Sequence, residues 1–279
     1  MKLVVDSTVD LPKELVAKHN IEVVPLTIQL GDKTYRDYFD IDPDKYCQEL
    51  ENTKLFPTTA QPSPQDFIAV YEKLLQKKED IISLHISSKL SGTYQSAMMA
   101  KEKLASGDIC VVDSKQTSIG LGVIALAVAG DIENGVNKED ILNHIESIIS
   151  RVNVLVAVDS LDYLQRGGRI GKASVFLGSM LNIKPILSLK DGEIHPLEKV
   201  RGRKLTGRRL VTHVQAAAAK CKKLKVAVVY VGNRDIVDSF LEQVAKISNV
   251  YVEYVGKAGG VIVSHVGPGA VGVAYYLDK

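Results

Sequence analysis

The stretch "DIISLHISSKLSGTYQSAMMAKEKLA", Asp80 to Ala105, decides the fold. "DIISLHI" is an apolar run of the length of a buried strand, "TYQSAMMAKEKLA" reads as a helix, and the loop between them is rich in hydroxyls. The same alternation continues on both sides. "SPQDFIAVYEKLLQKK" before it is a helix opened by an acceptor side chain and a proline, "DICVVD" after it is a strand, and a further helix runs from Thr117 to Asn134. Nearer the N-terminus, "KLVVD" is a strand and "DLPKELVAKHN" a helix, with Asp10 as its expected N-cap and Pro12 in its first turn. "VVPLTIQL" (23–30) reads as one strand, "GDKTYRDY" as a turn and return, and "DPDKYCQELEN" as a helix. Strands alternating with helices predict an α/β chain whose N-terminal part is a mostly parallel sheet with helices on both faces.

The pattern changes after "VLVAVDS". "LDYLQRGGRIGKASVFLGSML" holds two short helices broken at Gly167 and Gly168, and "KPILSLKDGEIHPLEKV" holds two strands joined by Asp191-Gly192, a hairpin turn. A helix, "KVAVVYVG", a second helix, "NVYVEYVG" and a glycine-rich closing segment follow. The expected organisation is therefore two domains, 1–157 and 158–279, the second a smaller mixed α/β unit.

Composition narrows the function without choosing it. Of 279 residues 46% are hydrophobic and 24% charged, the balance of an ordinary globular chain, and the formal net charge of +2 favours no class of partner. The three cysteines are too far apart for a Cys-x-x-Cys site, so a disulfide framework is not expected and a cytoplasmic setting is. "MKLVVDS" lacks the apolar stretch expected of a secretory leader, so none is expected there, and the least polar run, Ser118 to Gly130, is too short and glycine-rich for a membrane span and reads as a buried helix.

Two nucleotide-like motifs fail on context. In "SHVGPGAVG", Gly267, Gly269 and Gly272 match G-x-G-x-x-G, but only seven residues follow, too few for the helix and the acidic position that a dinucleotide loop needs. "RGGRIGKAS" has Arg166 and Ala173 where a phosphate loop needs glycine and a hydroxyl. No metal-ligand spacing occurs, so neither metal nor cofactor is expected.

Three loops remain. "PTTAQPSP" (57–64) is extended between prolines and brings Thr58, Thr59 and Ser63, the last an N-cap candidate. The loop after Ile86 leaves a strand end, the place where open α/β sheets bind ligands, and sets Ser91, Gly92 and Thr93 at a helix start, where an anion or a plain N-cap fits equally well. A basic set runs through Arg166, Arg169 and Lys172, then Lys199, Arg201, Arg203, Lys204, Arg208 and Arg209; it fits a solvated helix face, or phosphate or an acidic partner, and lacks the aromatic residues that stack bases.

In order along the chain, "VVDSTVDLP", "TTAQPSP", "SSKLSGTYQSA", "VVDSKQTSIGLG", "YLQRGGRIGKA" and "SHVGPGAVGV" resemble the DegV family of bacterial fatty-acid-binding proteins over nearly the whole sequence. The resemblance implies a two-domain α/β fold holding one long-chain fatty acid, such as palmitate, stearate or oleate, between the domains. It implies a monomeric carrier, not an enzyme in itself and with no catalytic residue of its own. A separate ATP-binding fatty acid kinase subunit would phosphorylate the carboxylate, feeding phospholipid synthesis. Nucleic acid and stable membrane insertion are not expected. The family's carboxylate contacts fall on Thr59 and Ser91, and Ala60 stands where the family usually has serine. Its functional arginines and histidine fall on Arg169, Arg201 and His265, divided between the head group and docking of the kinase. Two rivals compete: a stand-alone phosphotransferase or hydrolase using Ser91, although no G-x-S-x-G elbow surrounds it, and a nucleic-acid-binding regulator using Arg201 to Arg209.

Overall fold

The structure, a computed structural model, describes residues 1–105, 108–178 and 183–277. Its strands are β1 (Lys2–Asp6), β2 (Glu22–Val24), β3 (Thr27–Leu30), β4 (Lys33–Arg36), β5 (Thr58–Ala60), β6 (Ile81–His85), β7 (Ile109–Asp113), β8 (Asn153–Ala157), β9 (Ile183–Lys190), β10 (Glu193–Arg201), β11 (Leu224–Tyr230), β12 (Val250–Lys257) and β13 (Val271–Leu277). The helices are α1 (Lys13–Lys18), α2 (Pro43–Asn52), α3 (Pro64–Leu75), α4 (Thr93–Leu104), α5 (Ser118–Glu133), α6 (Lys138–Ile149), α7 (Asp162–Arg166), α8 (Arg203–Ala218), α9 (Asp235–Val244) and α10 (Gly260–Val266).

Strands β2-β1-β6-β7 form a parallel sheet, β10-β9-β8-β13-β11-β12 a mixed one, and β4-β3-β5 a small antiparallel one. The parallel sheet is apolar on both faces, because successive side chains alternate. Val4 and Ile81 face Phe67 and Tyr71 of α3 and Ala97 and Ala100 of α4, whereas Leu3, Val5, Ile82 and Leu84 face α5 and α6. The mixed sheet repeats the device: Val226, Val228 and Val273 pack on α8 and α9, and Ala227, Val229 and Ala274 turn back toward α5. Helix α5 thus lies between the two sheets. Ten of its residues are buried, from Ser118 to Ala129, with no polar stripe for water, which is why it reads as apolar all round.

Local signals behave as their chemistry requires. Ser63 and Asp66 form a reciprocal capping box on α3, Asp42 caps α2, and Asp191 and Gly192 both take positive φ in the β9–β10 turn. Two expectations are corrected. The stretch 23–30 is two strands in two sheets: Pro25 has no N–H to pair, and the chain passes there from the parallel sheet to the antiparallel one. Asp10 does not cap α1, whose N-cap is Pro12. It sits in the left-handed region (φ 47°), 5% exposed, and accepts from Ser118 Oγ (2.5 Å) and the Gly259 N–H (2.7 Å). It thereby ties the N-terminal strand end to the starts of α5 and α10. Strand β8, just before the change of pattern in the sequence, pairs with β9 and β13 in the mixed sheet.

Burial outweighs those hydrogen bonds and raises the Asp10 carboxyl to about 8. Below that pH the folded protein holds a proton that the unfolded chain has released since about pH 4, so folding takes up a proton and stability falls as pH rises toward 8, then levels off. The slope is about 1.4 kcal/mol per pH unit. Between pH 6.5 and 8, above the range where Asp37 (raised to about 6) and His265 (lowered to about 4) titrate, the wild-type protein should lose about 1–2 kcal/mol. Asp10→Asn should melt at nearly one temperature across that window; parallel wild-type and variant melting curves against pH would show the carboxyl to be ionised throughout.

Candidate functional site

Between the sheets, α5 and α10 lies a cavity of about 300 Å³. Most of its wall is aliphatic: Leu26, Ile86, Val154, Leu187, Val229 and Val261 come from five different strands or strand ends and from α10. Such a wall has nothing to offer a charged ligand and much to offer a hydrocarbon chain.

Four polar groups of the wall, Thr59, Ser91, Arg169 and His265, come from β5, two loops and α10. Thr59 is on β5, held in register opposite Ile28 of β3. Its Oγ1 lies 2.8 Å from His265 Nε2, in the last turn of α10. Ser91 follows β6; its Oγ pairs with Thr93 Oγ1 (2.9 Å) and accepts from the Thr93 N–H at the start of α4, while Gly92 is the N-cap residue itself. Arg169 is immobilised by donating from Nε to the Leu90 carbonyl (3.0 Å) and from Nη1 to the Gly167 carbonyl (2.7 Å). Thr59, Ser91, Arg169 and His265 all line the cavity. Arg201 does not; it ends β10 on the exposed surface. Thr58 is likewise absent from the wall, so it does not replace the hydroxyl lost at Ala60, which is in the wall.

Burial, and then the Arg169 charge, lower His265 to about 4, so the imidazole is neutral at pH 7. Glycine surrounds it for steric reasons. A Cβ on Gly167 would lie 2.9 Å from His265 Cε1 and closer still to Nδ1, and one on Gly267 (φ 74°) would overlap the Tyr163 ring. The glycines of "SHVGPGAVG" therefore end α10 and turn the chain into β13, with Gly267 and Gly269 at positive φ.

Two rival chemistries lose ground. Among the described residues no histidine or carboxylate hydrogen-bonds Ser91, so it lacks the base a hydrolase nucleophile needs. A Ser83–His85–Asp6 chain exists, at 2.7 and 3.1 Å, but all three are fully buried and Ser83 is also bonded by the Tyr71 hydroxyl, so it is core structure. The basic set, which carries no acid of its own, meets acids from elsewhere: Lys172 meets Glu193, Arg203 meets Asp159, and Arg209 meets Glu198. Sequence reasoning quoted Gln61 without giving it a role; it lines the cavity, and the one signal for it was its place between Thr59 and Pro62.

The chain is similar to known proteins over nearly its whole length. The sequence model of the DegV family, described as an uncharacterised protein family, matches residues 1–278. The fold superposes on that of a fatty-acid-binding DegV family protein from Thermus thermophilus (38% identity, TM-score 0.94, 99% of each chain). It also superposes on DegV, a fatty acid binding protein from Bacillus subtilis (33%, TM-score 0.90, 99% of each chain). A stearic-acid-binding protein from Eubacterium ventriosum is similar at 28% identity and a TM-score of 0.91, over 99% of this chain and 98% of its own.

Proposed function

The chain belongs to the DegV family, and from that premise we propose that it binds one long-chain fatty acid in the cavity and presents the carboxylate to a separate ATP-dependent kinase subunit. The observation that carries this reading is the polarity of the cavity: a mostly aliphatic wall into which Thr59, Ser91, the neutral His265 imidazole and the Arg169 guanidinium are brought together. A chain of sixteen carbons, at about 0.8 kcal/mol per buried CH₂, offers on the order of 12 kcal/mol before costs. The head-group bonds add less and instead fix which end faces outward.

Each polar residue then has a task. With Nε2–H of His265 donating to Thr59 Oγ1, the Thr59 hydroxyl proton is free to bond the carboxylate, and Ser91 supplies the second donor. The Arg169 charge favours the ionised acid, which is the nucleophile. A carboxylate oxygen attacks the γ-phosphorus of ATP held by the partner, ADP leaves, and the acyl phosphate remains on the carrier. Arg201, outside the cavity, belongs in this scheme to the surface that meets the kinase. The protein would act as a cytoplasmic monomer that supplies acyl phosphate for phospholipid synthesis. Among the described residues no helix is long and apolar enough to cross a membrane.

Protein purified from a bacterial host should carry a fatty acid, visible by native mass spectrometry as one added mass per chain that solvent extraction removes. Lipid-free protein that turns over ATP alone would overturn the proposal in favour of an independent phosphotransferase.

A further inference from the structure

Resting on the fatty-acid reading of the cavity, we propose that Gln61 is a positioning residue: its side chain clamps the Thr59 strand onto the first turn of α4 and so brings the two carboxylate-binding hydroxyls to one point.

Thr59 and Ser91 belong to different parts of the molecule. Strand β5 is in the antiparallel sheet, whose Leu26, Ile28 and Leu30 share a core with Leu187, Val231 and Val261 of the mixed-sheet side. Ser91 is on the loop leaving β6 of the parallel sheet. The two hydroxyls are not bonded to each other: Thr59 pairs with His265 and Ser91 with Thr93. Gln61 spans the gap. Its Nε2 donates to Ser96 Oγ (3.0 Å), a residue 2% exposed in the first turn of α4. Its amide lies flat on Gly92, where a Cβ would come within 2.7 Å of Gln61 Cδ and Nε2 and nearer still to Oε1. Gln61 thus occupies the space that a side chain at position 92 would take, beside Ser91. Pro62, which follows, is buried and anchors the chain next to Gln61, whose own side chain is exposed on its outer side.

This geometry makes Gln61, Gly92 and Ser96 one unit that holds Thr59 and Ser91 to one part of the cavity wall, which Gln61 also lines. Loosening it should leave the apolar cavity intact and spoil the simultaneous bonding of the carboxylate. A carboxylate with one donor fewer holds its proton to higher pH.

The test uses the full chain and palmitate labelled with ¹³C at the carboxyl. Gln61→Ala, Ser96→Ala and Gly92→Ala should each weaken binding about 5–10-fold and raise the pH midpoint of the bound carboxyl resonance relative to wild type. Gln61→Ala/Ser96→Ala should do no more than either single change, because both break the same bond. A purely structural contact would lower the melting temperature and leave the midpoint where it was. An unchanged midpoint and affinity in Gln61→Ala, or additive effects in the double variant, overturns the clamp while leaving the fatty-acid reading standing; wild-type protein that takes up no palmitate overturns both.

Discussion

A Thr59→Val/Ser91→Ala double variant should bind long-chain fatty acid about two to four orders of magnitude more weakly than wild type. Each hydroxyl bonded to a carboxylate contributes about 1.5–3 kcal/mol, so losing both costs about 3–6 kcal/mol, at about 1.4 kcal/mol per decade. The larger apolar contribution of the tail is untouched, because Leu26, Ile86, Leu187 and Val229 remain in the wall. Binding should therefore weaken without vanishing, and chain-length preference should survive. Acyl phosphate formation with the kinase subunit should fall further than occupancy does, since a carboxylate without fixed donors is no longer aligned for attack. Titration with a fluorescent fatty acid, followed by displacement with palmitate, measures the first effect; acyl phosphate yield at saturating lipid measures the second. Loss of His265's partner makes a melting control necessary, because Thr59 Oγ1 is the group hydrogen-bonded to its Nε2. A correctly folded double variant with wild-type affinity would remove Thr59 and Ser91 from the head-group site.

Asp6→Ala should be among the most destabilising single changes in the molecule. Asp6 is fully buried at the end of β1. Its Oδ1 accepts from the Thr8 N–H (3.1 Å) and the Thr8 hydroxyl (2.5 Å), and its Oδ2 accepts from the Ile86 N–H (2.8 Å) and faces His85 Nδ1 (3.1 Å). Alanine leaves two buried backbone donors, a hydroxyl and an imidazole nitrogen without this acceptor, at about 3–5 kcal/mol. For a chain of this size that is roughly 6–20 °C in melting temperature. Asp6→Asn keeps an acceptor oxygen and should lose less. The damage reaches the cavity, because Ile86 lines it, so lipid retention should decline with stability. A melting temperature within a degree or two of wild type would mean that water fills the gap and replaces the carboxylate.

Much of the parallel half is legible in the sequence because local chemistry and burial agree there. Strands β1 and β6 are mostly apolar and buried at every position since both sheet faces are covered, and Ser63, Asp42 and Asp191-Gly192 are punctuation whose physics is local. What is not legible depends on partners far along the chain. Asp10 looks like an N-cap from its neighbours alone; its actual partners, Ser118 and Gly259, are over one hundred residues away. Pro25 marks a break, but no local rule says that the strand changes sheets there. The four cavity-lining head-group residues were reached through family motifs, and nothing local to Thr59 forecasts that its hydroxyl meets an imidazole 206 positions later. The aliphatic wall is a set of ordinary core residues, distinguished only by facing a space.

Helix α5 bears on how any ligand enters and leaves. Parting the two sheets like jaws would strip one side of a helix with ten buried residues, together with the side chains facing it. At about 1.5–3 kcal/mol per large apolar side chain, such a movement would cost on the order of 20 kcal/mol, more than the 5–15 kcal/mol that holds a typical domain folded. Exchange by that route would be slower than unfolding. Whatever path a ligand takes, the central helix stays shut between its sheets.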